Sequence, residues 1–214
     1  SIACLGCPAG RANHLSKQAH HGACVLCSAG QYSAASKPTC SFCDFGQYQT
    51  EMGQSKCAKC IAGRYNPYMG RHTEGFCLSC PCGKWSILGS NACSVCSVGR
   101  FREGKEGNHP TVCKAARKGF VVQEQGLCAE TKCPRGRFQP MQGQTKCTVC
   151  PAGRYGPERG AMSESDCIKC AAGTYGPEEG QIACAKCAAG KFSASGGATV
   201  CTSCSYGKIA TEGS

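Results

Sequence analysis

The stretch CTVCPAGRYGPERGAMSESDCIKC, residues 147–170, decides the fold. It holds two Cys-x-x-Cys pairs around a glycine, an aromatic and a polar loop, and nearly all of the chain varies this theme. Positions are counted here from the second cysteine of a pair. Glycine stands at +3 in all twelve copies: Gly10, Gly30, Gly46, Gly63, Gly83, Gly99, Gly119, Gly136, Gly153, Gly173, Gly190 and Gly207. So strict a placement predicts a positive φ, which glycine adopts without a Cβ clash. An aromatic stands at +5 in nine copies: Tyr32, Tyr48, Tyr65, Trp85, Phe101, Phe138, Tyr155, Tyr175 and Phe192. With little other large apolar surface available, these rings are expected to pack on local disulfides rather than to form a binding stripe. Repeats this short predict a linear array in which each unit touches its neighbours. No single unit can build a core, so covalent cross-links must replace one.

Composition agrees. The chain has 214 residues and 24 cysteines, a density that marks a disulfide scaffold and an oxidising compartment. The expected location is extracellular or cell-surface. The formal net charge of +11 suits acidic partners, such as anionic glycans or an acidic protein, and equally suits a merely solvated surface. The basic residues read as scattered along the chain, which argues against nucleic acid. No apolar run approaches membrane-spanning length, and no signal peptide is visible. Any such segments are expected to lie outside this sequence.

The steps between successive pairs fall into two classes. Long steps of 17 residues start at Cys7, Cys60, Cys96 and Cys150, and each carries Gly-Arg, with Arg11, Arg64, Arg100 and Arg154. Short steps of 13 or 14 residues fill the gaps. A long unit followed by two short ones suggests an uneven higher-order repeat. One region breaks the pattern. Ala116 replaces the partner expected beside Cys113, and Glu130 replaces the partner expected beside Cys133. This suggests an N-terminal array at 1–115, a degenerate repeat at 116–132 and a C-terminal array at 133–214.

The double loss discriminates between pairings. If each Cys-x-x-Cys closed on itself, Cys113 and Cys133 would both be orphans. If the second cysteine of one pair bonds the first of the next, the two missing residues are the ends of one bridge. Spacing alone could not choose. The predicted bonds are Cys7–Cys24, Cys27–Cys40, Cys43–Cys57, Cys60–Cys77, Cys80–Cys93 and Cys96–Cys113, then Cys133–Cys147, Cys150–Cys167, Cys170–Cys184 and Cys187–Cys201. Each closes a loop worth roughly 3 kcal/mol in the chain-entropy model. The fold class expected is small, disulfide-rich β-ribbon and turn, with strands of about three residues, little or no helix and about twelve rungs in an elongated array.

Four cysteines are left over. Cys4 and Cys204 should bond outside the segment. A second copy placed after Ser214 would put its Cys4 at a short-unit step from Cys204, so the ladder is expected to continue in a longer polypeptide or head to tail. Cys82 and Cys128 are candidates for intermolecular cross-links, with free thiols or a bond allowed by a bend as the plainer alternatives.

The pattern C-x-x-C-P-x-G-x-Y…G…C-x-x-C, carried by CPAGRYGPERGAMSESDCIKC, CAAGTYGPEEGQIACAKC and CDFGQYQTEMGQSKCAKC, resembles the ephrin-receptor-like cysteine-rich repeat. It is also similar to the first half-module of tumour necrosis factor receptor cysteine-rich domains. The resemblance covers nearly all of the chain and weakens at the degenerate repeat and at Ala12 and Ile209, which replace the aromatic. It implies an elongated, disulfide-laddered extracellular structure with neighbour pairing. It does not imply ephrin binding, because these repeats are not that family's ligand-binding domain.

Other chemistry is weak. Structural zinc needs four ligands per site, and the degenerate repeat would leave half-pairs. A thioredoxin-like βαβ setting is missing. His14, His20 and His21 share a loop and read as exposed polar residues. No cofactor or metal is expected, and without a core to hold a site an enzyme is not expected either. Two functions remain: a structural rod in an extracellular fibre, coat or matrix, with copies of itself or other structural proteins as partners, or the stalk of a membrane-anchored receptor or adhesin.

Overall fold

The computed structural model describes residues 6–13, 24–104 and 112–214. Cys4 and the three histidines of the first loop lie outside the described residues. Contacts divide the chain into two compact units, Ser1–Cys96 with Arg102–Cys113, and Ser97–Phe101 with Lys114–Ser214. Both are built from the same element, a β-hairpin of two-residue strands, one rung per repeat. Rungs 1 to 12 open at Cys7, Cys27, Cys43, Cys60, Cys80, Cys96, Ala116, Cys133, Cys150, Cys170, Cys187 and Cys204.

In each rung from 1 to 11 the residues at +4 and +5 pair antiparallel with the two residues between the next pair of cysteines. In rung 9, Arg154 faces Lys169 and Tyr155 faces Ile168. The strands are two residues long rather than about three, because the +6 N–H and carbonyl bond other rungs instead of extending the ribbon. The turn entering ten of the eleven ribbons is closed by the +4 N–H donating to the +1 carbonyl, as from Arg154 to Pro151 at 3.2 Å. Its third residue is the +3 glycine, with φ between 71° and 89° in all twelve copies. That is the type II turn, which an L side chain resists.

Ten disulfides join the opening and closing cysteines of rungs 1 to 6 and 8 to 11, with Cα separations of 5.5–5.8 Å. Cys82 and Cys128 are disulfide-bonded as well. Neither is the spare thiol that an intermolecular cross-link requires, so that reading of these two residues is corrected. Cys204 is a free, half-buried cysteine.

The long and short steps differ in how they cover their sulfurs. The extra residues of long rungs fold into a 3₁₀ turn just before the closing cysteine, at Glu74–Phe76 and Glu164–Asp166. In rung 9 this turn is capped by Asp166, whose carboxylate accepts the N–H groups of Met162 and Ser163. The long-step arginines reach across the same loop: Arg11 donates to the Cys24 carbonyl at 3.1 Å and Arg154 to that of Cys167 at 2.9 Å. Closing cysteines of long rungs are therefore buried, whereas those of short rungs are half-exposed.

Rungs are joined by a hydrogen-bond pattern that repeats within both units. The +3 glycine N–H donates to the +6 carbonyl of the next rung at 2.7–3.0 Å, and its carbonyl accepts from the next rung's opening residue. The loop glycine near +10 donates back to the opening carbonyl of the rung before, as from Gly160 to Cys133 at 2.9 Å. A further contact skips a rung. A Cβ on Gly153 would lie 2.3 Å from the carbonyl oxygen of Gly197, and one on Gly10 would lie 1.8 Å from that of Gly53. Rungs therefore meet neighbours and next-but-one neighbours, more than the simple nearest-neighbour array expected from repeat length.

Among the described residues one loop departs from glycine. Ser36 takes φ +62° and donates to the Cys7 carbonyl at 2.7 Å, the role that glycine fills in other loops. Left-handed geometry strains a serine, so Ser36→Gly should raise stability by about 0.5–1 kcal/mol once the greater freedom of glycine in the unfolded chain is offset. The check is the denaturation midpoint with disulfides intact; a lower midpoint would mean that the serine side chain holds the loop.

Candidate functional site

Rung 7 keeps the shape of its neighbours without their sulfur. Phe120–Val121 pair with Thr131–Lys132 in the usual register, and Ala116 makes the same backbone bonds as an opening cysteine. Where the bridge would be, the Glu130 carboxylate accepts the backbone N–H of Arg117 at 2.6 Å and pairs with its guanidinium. That side chain is only 6% exposed, so the loss of both cysteines is answered by an ionic clasp. The Arg117 guanidinium also lies over the Phe120 ring at 4.6 Å.

Apolar packing completes the replacement. In rung 8, Phe138 packs on Cys150 and Cys167, the bridge of the rung ahead. Phe101 holds the equivalent place in rung 6, and beneath it lie Ala116, Val122 and Leu127 instead of sulfur. These two rings pack one rung along, not on their own disulfide. Nothing in the cysteine pattern signalled this, although Val122 at the normally polar +6 position was a readable clue.

Arg102 shows a different departure at +6. It is 5% exposed, and its guanidinium donates to the carbonyls of Lys84 and Pro81 at 2.7 Å and of Cys80 at 3.2 Å. Burial lowers its pKa from the ordinary arginine value, and the carbonyl cage compensates the desolvated cation. This charge is structural and faces the rungs before it.

The remaining positive charge is not evenly spread. Nine lysines and arginines against three glutamates lie between Lys114 and Arg159, a net +6 of the chain's +11. The eye misses this because the residues are interleaved with cysteines and glycines; a windowed charge count finds it. Rungs 7 to 9 bring several together. Lys132, Pro134, Arg135, Glu158, Arg159 and Ile182 line an open cleft of about 580 Å³. A second concavity of about 270 Å³ adjoins it through Lys132 and Pro134 and includes Arg137 and Lys146. Among the described residues no group of three or more His, Cys, Asp or Glu side chains converges on a metal-sized site, and no helix is long and apolar enough to cross a membrane.

The repeated rung, with its glycine turn and neighbour bridge, matches a family model described as "Tyrosine-protein kinase ephrin type A/B receptor-like" over residues 30–74, 119–167 and 165–204. The chain belongs to this ephrin-receptor-like family. The second matched region begins at Gly119, inside the bridgeless rung. The chain is also similar to parts of large multidomain proteins. It is 25% identical over 161 residues to the mouse sushi, von Willebrand factor type A, EGF and pentraxin domain-containing protein 1, covering 67% of the chain but 4% of the relative. It is 27% identical over 153 residues to the mouse signal peptide, CUB and EGF-like domain-containing protein 2, covering 58% of the chain and 15% of the relative. The human form of the latter matches at 28% over 115 residues, 51% of the chain and 11% of the relative. The ephrin-receptor-like chain thus spans a small part of these relatives and is of extracellular or cell-surface type.

Proposed function

We propose that this chain is a non-enzymatic structural element of a larger extracellular fibre, coat or matrix assembly. The carrying observation is the uniformity of its interfaces. The +3 glycine of each rung from 1 to 11 bonds the next rung through the same backbone groups, and the interior is mostly sulfur and small side chains. Such a frame transmits position along a chain; the two concavities described above are open clefts rather than enclosed sites of the kind that preorganises catalytic groups. The free thiol of Cys204 sits at a position that opens a bridge in most other rungs, so it suits a bond to a cysteine outside this segment, from a longer polypeptide or a second copy.

A stalk in a membrane-anchored receptor or adhesin is the second reading, favoured by relatives in which the matched region is a small part of a multidomain protein. Non-reducing peptide mapping of the native material, together with the complete transcript, tests both. The fibre or matrix reading expects Cys204 in an interchain peptide and covalent species heavier than a monomer. A Cys204 bonded only within its own chain, in a transcript that encodes a membrane span, would overturn it in favour of the stalk. A monomer of the bare chain with Cys204 as a free thiol would overturn the covalent assembly.

A further inference from the structure

The basic cleft of rungs 7 to 9 is the feature that the structural reading leaves unused. Five cations, Lys132, Arg135, Arg137, Lys146 and Arg159, line its two concavities, with Glu158 as the one acid. All are exposed, and none makes an ion pair among the described residues. Lys132 stands 6.0 Å from the Phe120 ring and Arg137 donates to the Cys147 carbonyl at 3.4 Å, but with no carboxylate paired to any of the five their charge stays available to a ligand, unlike that of Arg102 or Arg117.

The chemistry of the cleft narrows the partner. Neither concavity is lined by an aromatic side chain. Aromatic anchors are what protein interfaces and single-stranded nucleic acids typically use. Polar Gln123 and Thr131 stand among the cations of the second concavity and can bond hydroxyl or sulfate oxygens. Arginine pairs well with flat or tetrahedral oxyanions through two N–H groups at once. Cations supplied by successive rungs fit a linear polyanion better than a single small ion. The extracellular setting offers such a polymer in sulfated glycans.

We propose that this cleft binds a linear sulfated polysaccharide through Lys132, Arg135, Arg137, Lys146 and Arg159. The inference does not depend on whether the chain serves a fibre or a stalk. Heparin is the probe, titrated against the full chain at rising salt. Binding should fall steeply with ionic strength as counterions are released. Arg135→Gln with Arg159→Gln should weaken it about tenfold, and Glu158→Gln should tighten it about threefold. A control pair, Lys37→Gln with Lys56→Gln, removes the same charge from exposed sites in rungs 2 and 3 and should change affinity less than threefold. All these positions are exposed, so unchanged denaturation midpoints will show that the fold is kept. Equal losses from the cleft and control pairs would mean diffuse attraction and would overturn the site. So would undiminished binding of desulfated heparin, or binding of polyglutamate or single-stranded DNA as tight as heparin and equally sensitive to the cleft pair.

Discussion

Gly153→Ala is expected to lose roughly 3–5 kcal/mol of stability, whereas Gly160→Ala, seven residues on in the same rung, should lose only about 1–2 kcal/mol. Both glycines have φ +78°, so the strain of placing a side chain in the left-handed region is common to both and cancels in the comparison. Their surroundings differ. The nearest atom to a Cβ on Gly160 is a Lys132 methylene at 3.7 Å, an ordinary contact. A Cβ on Gly153 would stand 2.3 Å from the backbone oxygen of Gly197, two rungs ahead. That oxygen cannot simply move. Gly197 donates to the Cys170 carbonyl at 2.8 Å, while Gly153 is itself bonded to Gly176 and Cys170 in the rung between. Relief of the clash must break at least one of these bonds. Gly190 supplies a third point: it has the same φ of +78° and nothing within 4 Å of its Cβ position. Gly190→Ala should behave like Gly160→Ala. Denaturant titration of the oxidised variants checks the series. Equal losses at Gly153 and Gly160 would show that turn strain alone sets the requirement for glycine and that the next-but-one contact carries no stability.

Ala116→Cys with Glu130→Cys should form a new disulfide and stabilise the protein by about 2 kcal/mol. The rung-7 loop matches that of rung 8, where Cys133 and Cys147 are 14 residues apart. The backbone bonds at Ala116, Gly119 and Val122 follow the pattern of the bridged rungs, so the two Cα atoms should lie at the bridging separation seen in the others. Closing a loop of this length contributes roughly 3 kcal/mol in the chain-entropy model. Against this stands the lost clasp between Glu130 and Arg117, about 1 kcal/mol for a pair whose arginine is mostly exposed. The new sulfurs would lie under Phe101, as the bridge of rung 9 lies under Phe138. The expected readout is loss of both added thiols, a mapped 116–130 peptide and a midpoint raised by about 4–8 °C. Glu130→Ala alone should lower the midpoint, because it leaves the Arg117 N–H and guanidinium without their acceptor. If the double variant keeps two extra thiols, rung 7 does not share the geometry of its neighbours, and the idea that clasp and apolar cluster stand in for a bridge fails.

The sequence was legible where chemistry repeats at fixed spacing. Gly153 and its eleven equivalents announced a positive φ because nothing but glycine would recur so strictly in a turn. Ala116 and Glu130, missing together, pointed to neighbour pairing, and the ten disulfides described follow that pairing. What was hard to read lay in contacts between residues far apart in the chain. Cys82 and Cys128 looked like spare thiols because the repeat pattern offers them no partner, yet both are disulfide-bonded. The basic cleft was hidden because its cations are far apart in the chain. Lys132, Arg135 and Arg159 are separated by a bridge and a ribbon in sequence, and they line one concavity only after rungs 8 and 9 have stacked.

Sequence by itself thus determined the rung: its turn, its ribbon, its bridge and the oxidising compartment those bridges require. These follow from local covalent geometry, which acts over a few residues and tolerates few alternatives. Tertiary structure alone decided what the rungs do to one another. The carbonyl of Gly197 under Gly153, the Phe101 ring over a sulfur-free rung and the clustered cations of rungs 7 to 9 depend on how successive ribbons stack. That stacking arises from backbone hydrogen bonds, which every residue but proline can make and which therefore leave little mark in the sequence.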